Sequence, residues 1–459
     1  MTTDLPFLLS FVGTLSAILL LAWGGKAKAQ TSSDFSLGGR RAGHWHVFGA
    51  ITGTLVGGAS TIGTAQLAFL YGFSAWWFTL GAGLACLFLG IFLAVPLRHS
   101  DVETIPQFIS LYHGHRARVA ASLFIAIGMF IQIVAQLLAC GAILAVLFDL
   151  NLIWSAAISA LLVVAFTLGG GMRAAGLTGV LKMLLIYLTM LVAGIVSLRM
   201  SGGWTALHES FPTFPWFSLF GYGVGEGLSD LLSMLVGVIS TQTYLQAVFS
   251  AQDGATARRG ALLSAVLIPP LGLLGILVGL YMRQSRPDLQ SALALPTFIL
   301  GNLPTLFAGI AFAALLVAAV GTASGLALGV ATTLKADVLP SRLSGSRHEL
   351  PLFRALTAVV VLSAFVLLLV NLGSAIMEWS FLSMGLRGAT LCFPLLFAVF
   401  LKGRDLRRAG ALSIFVAPAC VILAGLFHIT SIPPLYIGLG VSLLFLLAGL
   451  LTGRPKTRG

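Results

Sequence analysis

The chain has 459 residues, of which 58% are hydrophobic and only 9% are charged. Soluble globular proteins carry about 45–50% apolar and about 25% charged residues, so this composition excludes an ordinary soluble enzyme and indicates a polytopic membrane protein. The net charge of +12 would favour nucleic acid in a soluble protein, but in a membrane protein it first reports topology. The four cysteines lie in apolar stretches without a CxxC pair, so they indicate neither a disulfide framework nor a zinc site.

Thirteen apolar stretches are long enough to cross the hydrocarbon core, which takes about 20 residues of helix. These spans, numbered in chain order, cover about 5–23, 45–71, 74–96, 118–147, 152–169, 175–198, 222–250, 259–282, 299–334, 353–371, 374–401, 408–428 and 433–451. No linker or low-complexity stretch divides them. The sequence therefore predicts an all-α polytopic membrane protein with a single membrane domain over 1–459.

Lysine and arginine are unevenly distributed between the two sets of loops. Of 26 such residues, 21 fall on one side of the spans, and the other side has only Arg199, Arg283 and Arg286. The side rich in positive charge faces the cytoplasm, which places the N-terminus outside and the C-terminus inside the cell (plasma or inner) membrane. The same charge meets anionic lipid, so the lipid bilayer is the expected partner and nucleic acid is not.

Glycine clusters interrupt spans two and seven. Span two has five glycines between 49 and 63, and the start of span seven has four between 221 and 227. Glycine weakens a helix by about 1 kcal/mol, and irregular backbone at membrane depth survives only inside protein or beside a cavity. The alternative is a glycine face for close helix packing. Spans two and seven are five apart, and paired interruptions in two inverted halves are typical of a secondary transporter's binding site.

Six short motifs follow one another along the chain. They are 35–40 (FSLGGR), 57–63 (GGASTIG), 104–108 (TIPQF), 170–174 (GGMRA), 244–251 (YLQAVFSA) with 257–260 (ARRG), and 383–389 (SMGLRGA) with Pro394. Together they resemble the sodium:solute symporter family. The resemblance implies a LeuT-like five-plus-five inverted repeat formed by spans 2–6 and 7–11. The chain would then divide into a first helix and inward loop, two repeats, and two extra helices with a short cytoplasmic tail, over 1–44, 45–198, 222–401 and 408–459.

The resemblance implies secondary active import of a small organic solute by alternating access, coupled to a cation gradient. Sodium is the family's coupling ion, and no other cofactor or metal is expected. No nucleophile–base pair, phosphate loop or dinucleotide fingerprint appears, so we expect no catalytic residues and no enzyme activity. A transporter-like membrane sensor usually carries a signalling domain, whereas only eight residues follow 451. The solute and the oligomeric state stay open.

A sodium site between spans two and nine is also implied by the resemblance. Its carbonyl donors correspond to Ala59, Ile62 and Ala318, and its hydroxyl corresponds to Thr322, with Ser324 as a substitute. A hard cation prefers oxygen ligands, and an unwound helix exposes carbonyl groups.

This chain departs from the family pattern at the sodium site. Gly321 stands where a second hydroxyl is usual, and Gly179 stands where many members have an aspartate in span six. Lys182 follows one turn later. These changes leave open a proton-coupled or cation-independent transporter with Lys182 at the former sodium site.

Lys182 allows two interpretations because an unpaired charge inside a span costs at least about 2.5–3.5 kcal/mol. The lysine lies roughly 10 Å from the cytoplasmic end of its helix at about 1.5 Å per residue, so its ammonium could snorkel to the interface. Alternatively, the ammonium occupies or flanks the cation cavity, where it could support proton coupling.

The remaining polar groups inside spans are candidates for the solute cavity. They are Gln66, Gln132, Gln136, Gln242 and Arg387. Gln132 and Gln136 share one face of span four, and any of these amides could instead bind a neighbouring helix. Arg387 could receive an anionic group of the solute through two hydrogen bonds. It could equally be a structural partner of Glu378 or of a helix-end carbonyl.

Overall fold

The structure, a computed structural model, describes most of the chain and is almost entirely helical. The described residues are 4–24, 40–100, 102, 104–169, 174–337, 349–401, 405–427 and 432–452. Three sequence features lie outside them, namely most of the motif at 35–40, residues 170–173 and the tail after 452.

Each predicted span coincides with one helix or with a run of helices. Spans one to seven are Leu5–Gly24; His44–Leu55, Ala59–Gly63 and Thr64–Tyr71; Trp77–Phe88, Leu89–Leu93 and Ala94–Arg98; His115–Phe148; Leu152–Gly169; Ala174–Met200; and Val224–Ile239 with Gln242–Ser250. Spans eight to thirteen are Gly254–Ser285, Thr305–Asp337, Glu349–Leu369, Ile376–Phe400, Arg407–Phe427 and Pro434–Thr452.

Short helices fill the connections between spans. They are Ile105–His113, Gly203–Ser210, Thr213–Trp216 and Ala294–Asn302. The last of these corrects the predicted start of span nine at 299, because Leu303 is extended and the long helix begins at Thr305. A helix of 33 residues then runs to Asp337.

By length and hydropathy, fewer than thirteen helices qualify as membrane-spanning. Among the described residues, eight helices are long and apolar enough to cross a membrane, and the bent pair in span seven makes nine. Shorter apolar helices cover the predicted spans one, five and ten, at Leu5–Ile18, Leu152–Thr167 and Arg354–Leu369. The count of thirteen crossings therefore stays a prediction.

The break predicted in span two is present at Val56 and Gly57. The helix from His44 ends at Leu55, and Val56 adopts an extended conformation with φ −88° and ψ 90°. The chain then resumes as a π-helix at Ala59–Gly63. The hydroxyls of Ser60 and Thr61 donate to the Gly57 carbonyl at 3.0 and 2.9 Å, so side chains satisfy the acceptor that the interruption frees.

Span seven is also broken, but later than its glycine cluster predicts. The helices Val224–Ile239 and Gln242–Ser250 meet at an angle of 42°. The glycines at 221–227 instead lie at the start of the span, where Gly223 has a φ of 126° that favours a residue without a Cβ. Spans two and seven are thus both interrupted at buried positions.

The glycines of span two also form a close crossing with span six. A Cβ built on Gly179 would lie only 2.4 Å from the Gly49 carbonyl oxygen, and one on Gly53 would lie 2.9 Å from the Gly179 Cα. Both interpretations of the glycine cluster therefore hold in different parts of the span. The absence of side chains brings the two backbones together.

Substitution of Gly179 by alanine should destabilise the protein by about 1–3 kcal/mol, because the new methyl group must push spans two and six apart. We expect a lower thermal unfolding midpoint in detergent. Gly440→Ala is the matched control, since it adds the same group to a helix where nothing lies within 4 Å of the new Cβ. Equal midpoints for the two variants would contradict the close crossing.

Candidate ion and solute site

The ammonium of Lys182 is held by three oxygens from two other helices. Its Nζ donates to the Gly53 carbonyl of span two at 2.5 Å. It also donates to the Ala318 carbonyl at 3.0 Å and to the Thr322 Oγ1 at 3.1 Å, both in span nine. Because an ammonium has three donors and no acceptor, this set of oxygens satisfies all its hydrogen-bonding capacity. We call Gly53, Ala318 and Thr322 the oxygen shell.

Lys182 is enclosed by protein, with only 6% of its surface exposed. Its ammonium does not reach the membrane interface, so the snorkelling interpretation is wrong. No carboxylate in the described part of the chain lies within ion-pair distance of it. A buried charge without a counter-ion depends on the dipoles of its hydrogen-bonding partners, which here are two carbonyls and a hydroxyl.

The oxygen shell adjoins the break in span two. A Cβ built on Gly57 would lie 2.8 Å from both the Gln136 Oε1 and the Thr322 Oγ1. Gln136 in turn accepts a hydrogen bond from the Gly58 N–H at 2.8 Å. The break, span four and span nine therefore meet at one point, and only glycine leaves room there for both polar side chains.

The other residues that the family resemblance implies in a sodium site differ in their surroundings. Ala59 and Ile62 are buried in the π-helix after the break, and the span-two carbonyl that contacts the ammonium belongs to Gly53. Ser324 accepts a hydrogen bond from Thr167 of span five at 2.9 Å. Open space surrounds Gly321, where a Cβ would meet nothing within 4 Å.

A second set of buried polar side chains belongs to spans four, seven and eleven. Gln132 donates through Nε2 to the Ser380 hydroxyl at 2.9 Å. Within the described part of the chain, its Oε1 is buried without a hydrogen-bond partner, and so are Thr189 Oγ1 in span six and Ser240 Oγ and Thr243 Oγ1 at the break in span seven. An unpaired buried polar atom costs about 1–3 kcal/mol, so these oxygens are suited to receive a polar ligand. We call Gln132, Ser240, Thr243 and Ser380 the solute group.

Gln66 and Gln242 each accept a hydrogen bond from a backbone N–H at the start of another helix. Gln66 accepts from the Ile376 N–H at 2.9 Å, at the start of span eleven. Gln242 accepts from the Ile105 N–H at 2.8 Å and so ties the second half of span seven to the short inward helix. Both amides satisfy N–H groups that have no partner within their own helix.

Arg387 is fully buried and binds hydroxyl, carbonyl and thioether groups. Its NH1 donates to Thr241 at the break in span seven at 2.8 Å, and its NH2 donates to Ser383 Oγ at 2.7 Å. Its Nε donates to the Ser383 carbonyl at 3.1 Å. These bonds match the structural interpretation, although the partners are Thr241 and Ser383 and not Glu378. The guanidinium connects span eleven to the broken span seven.

Sequence reasoning missed Gly53 and five hydroxyl residues, namely Ser240, Thr241, Thr243, Ser380 and Ser383. Gly53 contributes a backbone carbonyl, which has no side-chain signature. The five hydroxyl residues are of types common in membrane helices, and only the packing of separate spans shows what surrounds them. The run of small residues in span two was the one available signal for Gly53, because it indicates a backbone that other groups can approach.

A model of the sodium:solute symporter family matches residues 35–416, which includes both broken spans and the oxygen shell. This chain belongs to the sodium:solute symporter family. The human high affinity choline transporter 1 is 27% identical over 259 residues, which are 54% of this chain and 44% of that protein. A sodium/proline symporter of Staphylococcus aureus is 22% identical over 452 residues, covering 91% of this chain and 86% of that symporter. The chain spans about half the length of the choline transporters that it matches.

Solved structures with the same architecture confirm the LeuT-like fold of this family member. A Na⁺-coupled sialic acid symporter in a substrate-bound, outward-open state aligns over 100% of both chains, with a TM-score of 0.76 and 19% identity. A nucleobase-cation-symport-1 family transporter aligns over 92% of this chain and 95% of its own, with a TM-score of 0.56 and 13% identity. These relatives are transporters and not enzymes.

Replacement of Gln242 by leucine should destabilise the protein by about 1–3 kcal/mol, because the buried Ile105 N–H loses its acceptor. Gln284→Leu, which replaces an exposed glutamine, serves as the control. We expect a lower unfolding midpoint for Gln242→Leu alone. A solute affinity that falls in Gln242→Leu without any loss of stability would show that Gln242 contacts the solute.

Proposed function

We propose that this chain is a secondary active transporter that imports a small organic solute by alternating access, coupled to a cation gradient. Membership of the sodium:solute symporter family supports this activity. The observation that carries it is the pair of buried breaks in spans two and seven, the first beside the oxygen shell and the second beside hydroxyls with no partner among the described residues. We assign 45–198 and 222–401 as the two repeats that move relative to each other during the cycle.

The solute group is our assignment for solute binding. Its members come from span four, span seven and span eleven, so a bound solute would connect both repeats. The unpaired Gln132, Ser240 and Thr243 oxygens offer one acceptor and two hydroxyl groups that can donate or accept. This chemistry suits a polar solute better than an apolar one.

The charges around the centre favour a solute that bears a carboxylate. Lys182 and Arg387 are the buried cations of the described central helices, and their partners are uncharged. The acids Glu226, Asp230 and Glu378 instead lie near the starts of spans seven and eleven. Proline and sialic acid, named for two of the similar proteins, carry a carboxylate, whereas choline is a cation without one.

Uptake by purified protein in proteoliposomes tests the proposal. We expect accumulation of a carboxylate-bearing solute, such as an amino acid or a sialic acid, against its gradient when a cation gradient is imposed. Sodium is the proposed coupling ion because it is the family's ion. Uptake of choline in preference to these solutes would contradict the charge argument, and absence of gradient-driven uptake across the panel would contradict the function.

Gln132→Leu should raise the KM for the transported solute about two- to tenfold, since one hydrogen bond that its unpaired Oε1 accepts from a donor group of the solute is worth about 0.5–1.5 kcal/mol. The measurement is the concentration dependence of initial uptake rates. Gln284→Leu is the control, because Gln284 is exposed and bonds only to Ser210 in the described part of the chain. An unchanged KM in Gln132→Leu would remove Gln132 from the solute group.

We also propose the orientation that the positive loops predict, with the segment 199–221 outside. A cysteine introduced at the exposed Ser210 should then react with an impermeant maleimide added to intact cells. A cysteine at the exposed Gln252, in an inward loop, should react only after the membrane is opened. Reaction of Gln252→Cys but not Ser210→Cys in intact cells would reverse the assigned topology.

A further inference from the structure

We propose that the Lys182 ammonium is a built-in cation that fills the oxygen shell and excludes sodium from it. The inference rests on the proposed cation-coupled transport for its meaning in the cycle. It concerns one position only: a sodium ion that drives this transporter would bind outside the shell formed by Gly53, Ala318 and Thr322.

The oxygen shell has the composition of a monovalent cation site. It consists of two backbone carbonyls and one hydroxyl, which are the oxygen types that hard cations prefer. Ala318 and Thr322 are the span-nine residues at which the family resemblance places sodium. The ammonium uses all three oxygens with its three donors, so these residues do not fit a sodium ion while Lys182 is in place.

Two glycines make this arrangement possible. Gly179 and Gly53 let the backbones of spans two and six approach, so that the Gly53 carbonyl comes within reach of the Lys182 ammonium. An aspartate at 179 would place its Cβ 2.4 Å from the Gly49 carbonyl oxygen. The loss of the acid at 179 and the presence of Lys182 are therefore linked. Gly179 allows the close approach of the two helices, and this approach brings the Gly53 carbonyl oxygen to the Lys182 ammonium.

Electrostatic repulsion would keep a second cation away. Two unit charges about 4 Å apart repel strongly enough, at an effective dielectric constant near 20, to weaken binding about a thousandfold. The described surroundings contain no acid within ion-pair distance of Lys182 to offset this. Gly321 adds no oxygen on the span-nine side, where open space adjoins it.

A purely structural lysine is the competing explanation. In that case Lys182 would only tie spans two, six and nine together, and its removal would weaken the fold without creating an ion site. The two explanations differ in one property: whether the oxygen shell binds sodium once the ammonium is gone.

Sodium binding by purified protein in detergent separates the two. Binding of radioactive sodium and the sodium-dependent shift of the unfolding midpoint are measured with N-methyl-D-glucamine as the replacement ion at constant ionic strength. The variants are Lys182→Ala, Lys182→Met, which keeps an unbranched apolar stem, and Lys182→Arg, which keeps the charge. Each is combined with Thr322→Val, which removes one oxygen of the shell at nearly constant volume.

We expect any sodium response of the wild-type protein to be unaffected by Thr322→Val. In Lys182→Ala or Lys182→Met, the sodium affinity of the oxygen shell should be at least a hundredfold higher than in the wild type. Adding Thr322→Val to either variant should abolish this gain in affinity. Lys182→Arg should show no gain. Each comparison is between proteins with and without Thr322. A sodium site elsewhere in the molecule contributes equally to both proteins, so it does not affect the measured difference.

Two results would overturn the inference. One is a wild-type sodium response that Thr322→Val abolishes, since sodium would then occupy the shell together with Lys182. The other is the absence of a Thr322-dependent response in the lysine variants, which would make Lys182 structural. Neither measurement needs a solute or a membrane, so a failure of the proposed transport would appear only in the uptake assay and not here.

Discussion

A buried ammonium that has no counter-ion among the described residues is the constraint on which the centre of this protein depends. Lys182 is stable inside the bundle only if three oxygens meet it, and three different helices must approach closely for that to happen. The glycine contact between spans two and six and the position of Thr322 on span nine are parts of the same requirement. The spans that carry the break, the shell and the solute group are thereby fixed relative to one another.

The interrupted helices show how the membrane environment selects the surrounding side chains. A broken backbone inside lipid exposes N–H and C=O groups that water cannot satisfy. At the break in span two, Ser60 and Thr61 bind the Gly57 carbonyl, and Gln136 accepts from the Gly58 N–H. At the break in span seven, Thr241 accepts from Arg387, while two neighbouring hydroxyls have no partner among the described residues. Protein groups therefore satisfy the first break more fully than the second.

Much of the fold could be predicted from the sequence because its signals are local. Apolar runs located the long helices, and the glycines of span two located its break. The glycines at 221–227 predicted the interruption of span seven too early, because the break at Ser240 and Thr241 involves residues that are common in any membrane helix. Gln66, Gln132 and Gln242 are all glutamines within spans, so the sequence cannot tell them apart. Only their hydrogen-bond partners in the structure distinguish an amide that caps a helix from one that is a candidate for solute contact.

The sequence by itself determined the class of protein, the spans, the family and the presence of an unexpected charge in span six, since each follows from composition, periodicity or short motifs. It left two positions open for the Lys182 ammonium, because a flexible four-carbon stem can reach either the interface or the interior. The tertiary structure decided between them through residues far apart in the chain: Gly53 and Thr322 meet Lys182 only when spans two, six and nine are packed together. Backbone carbonyls have no side-chain signature, so their role in binding an ion can be found only from the folded arrangement.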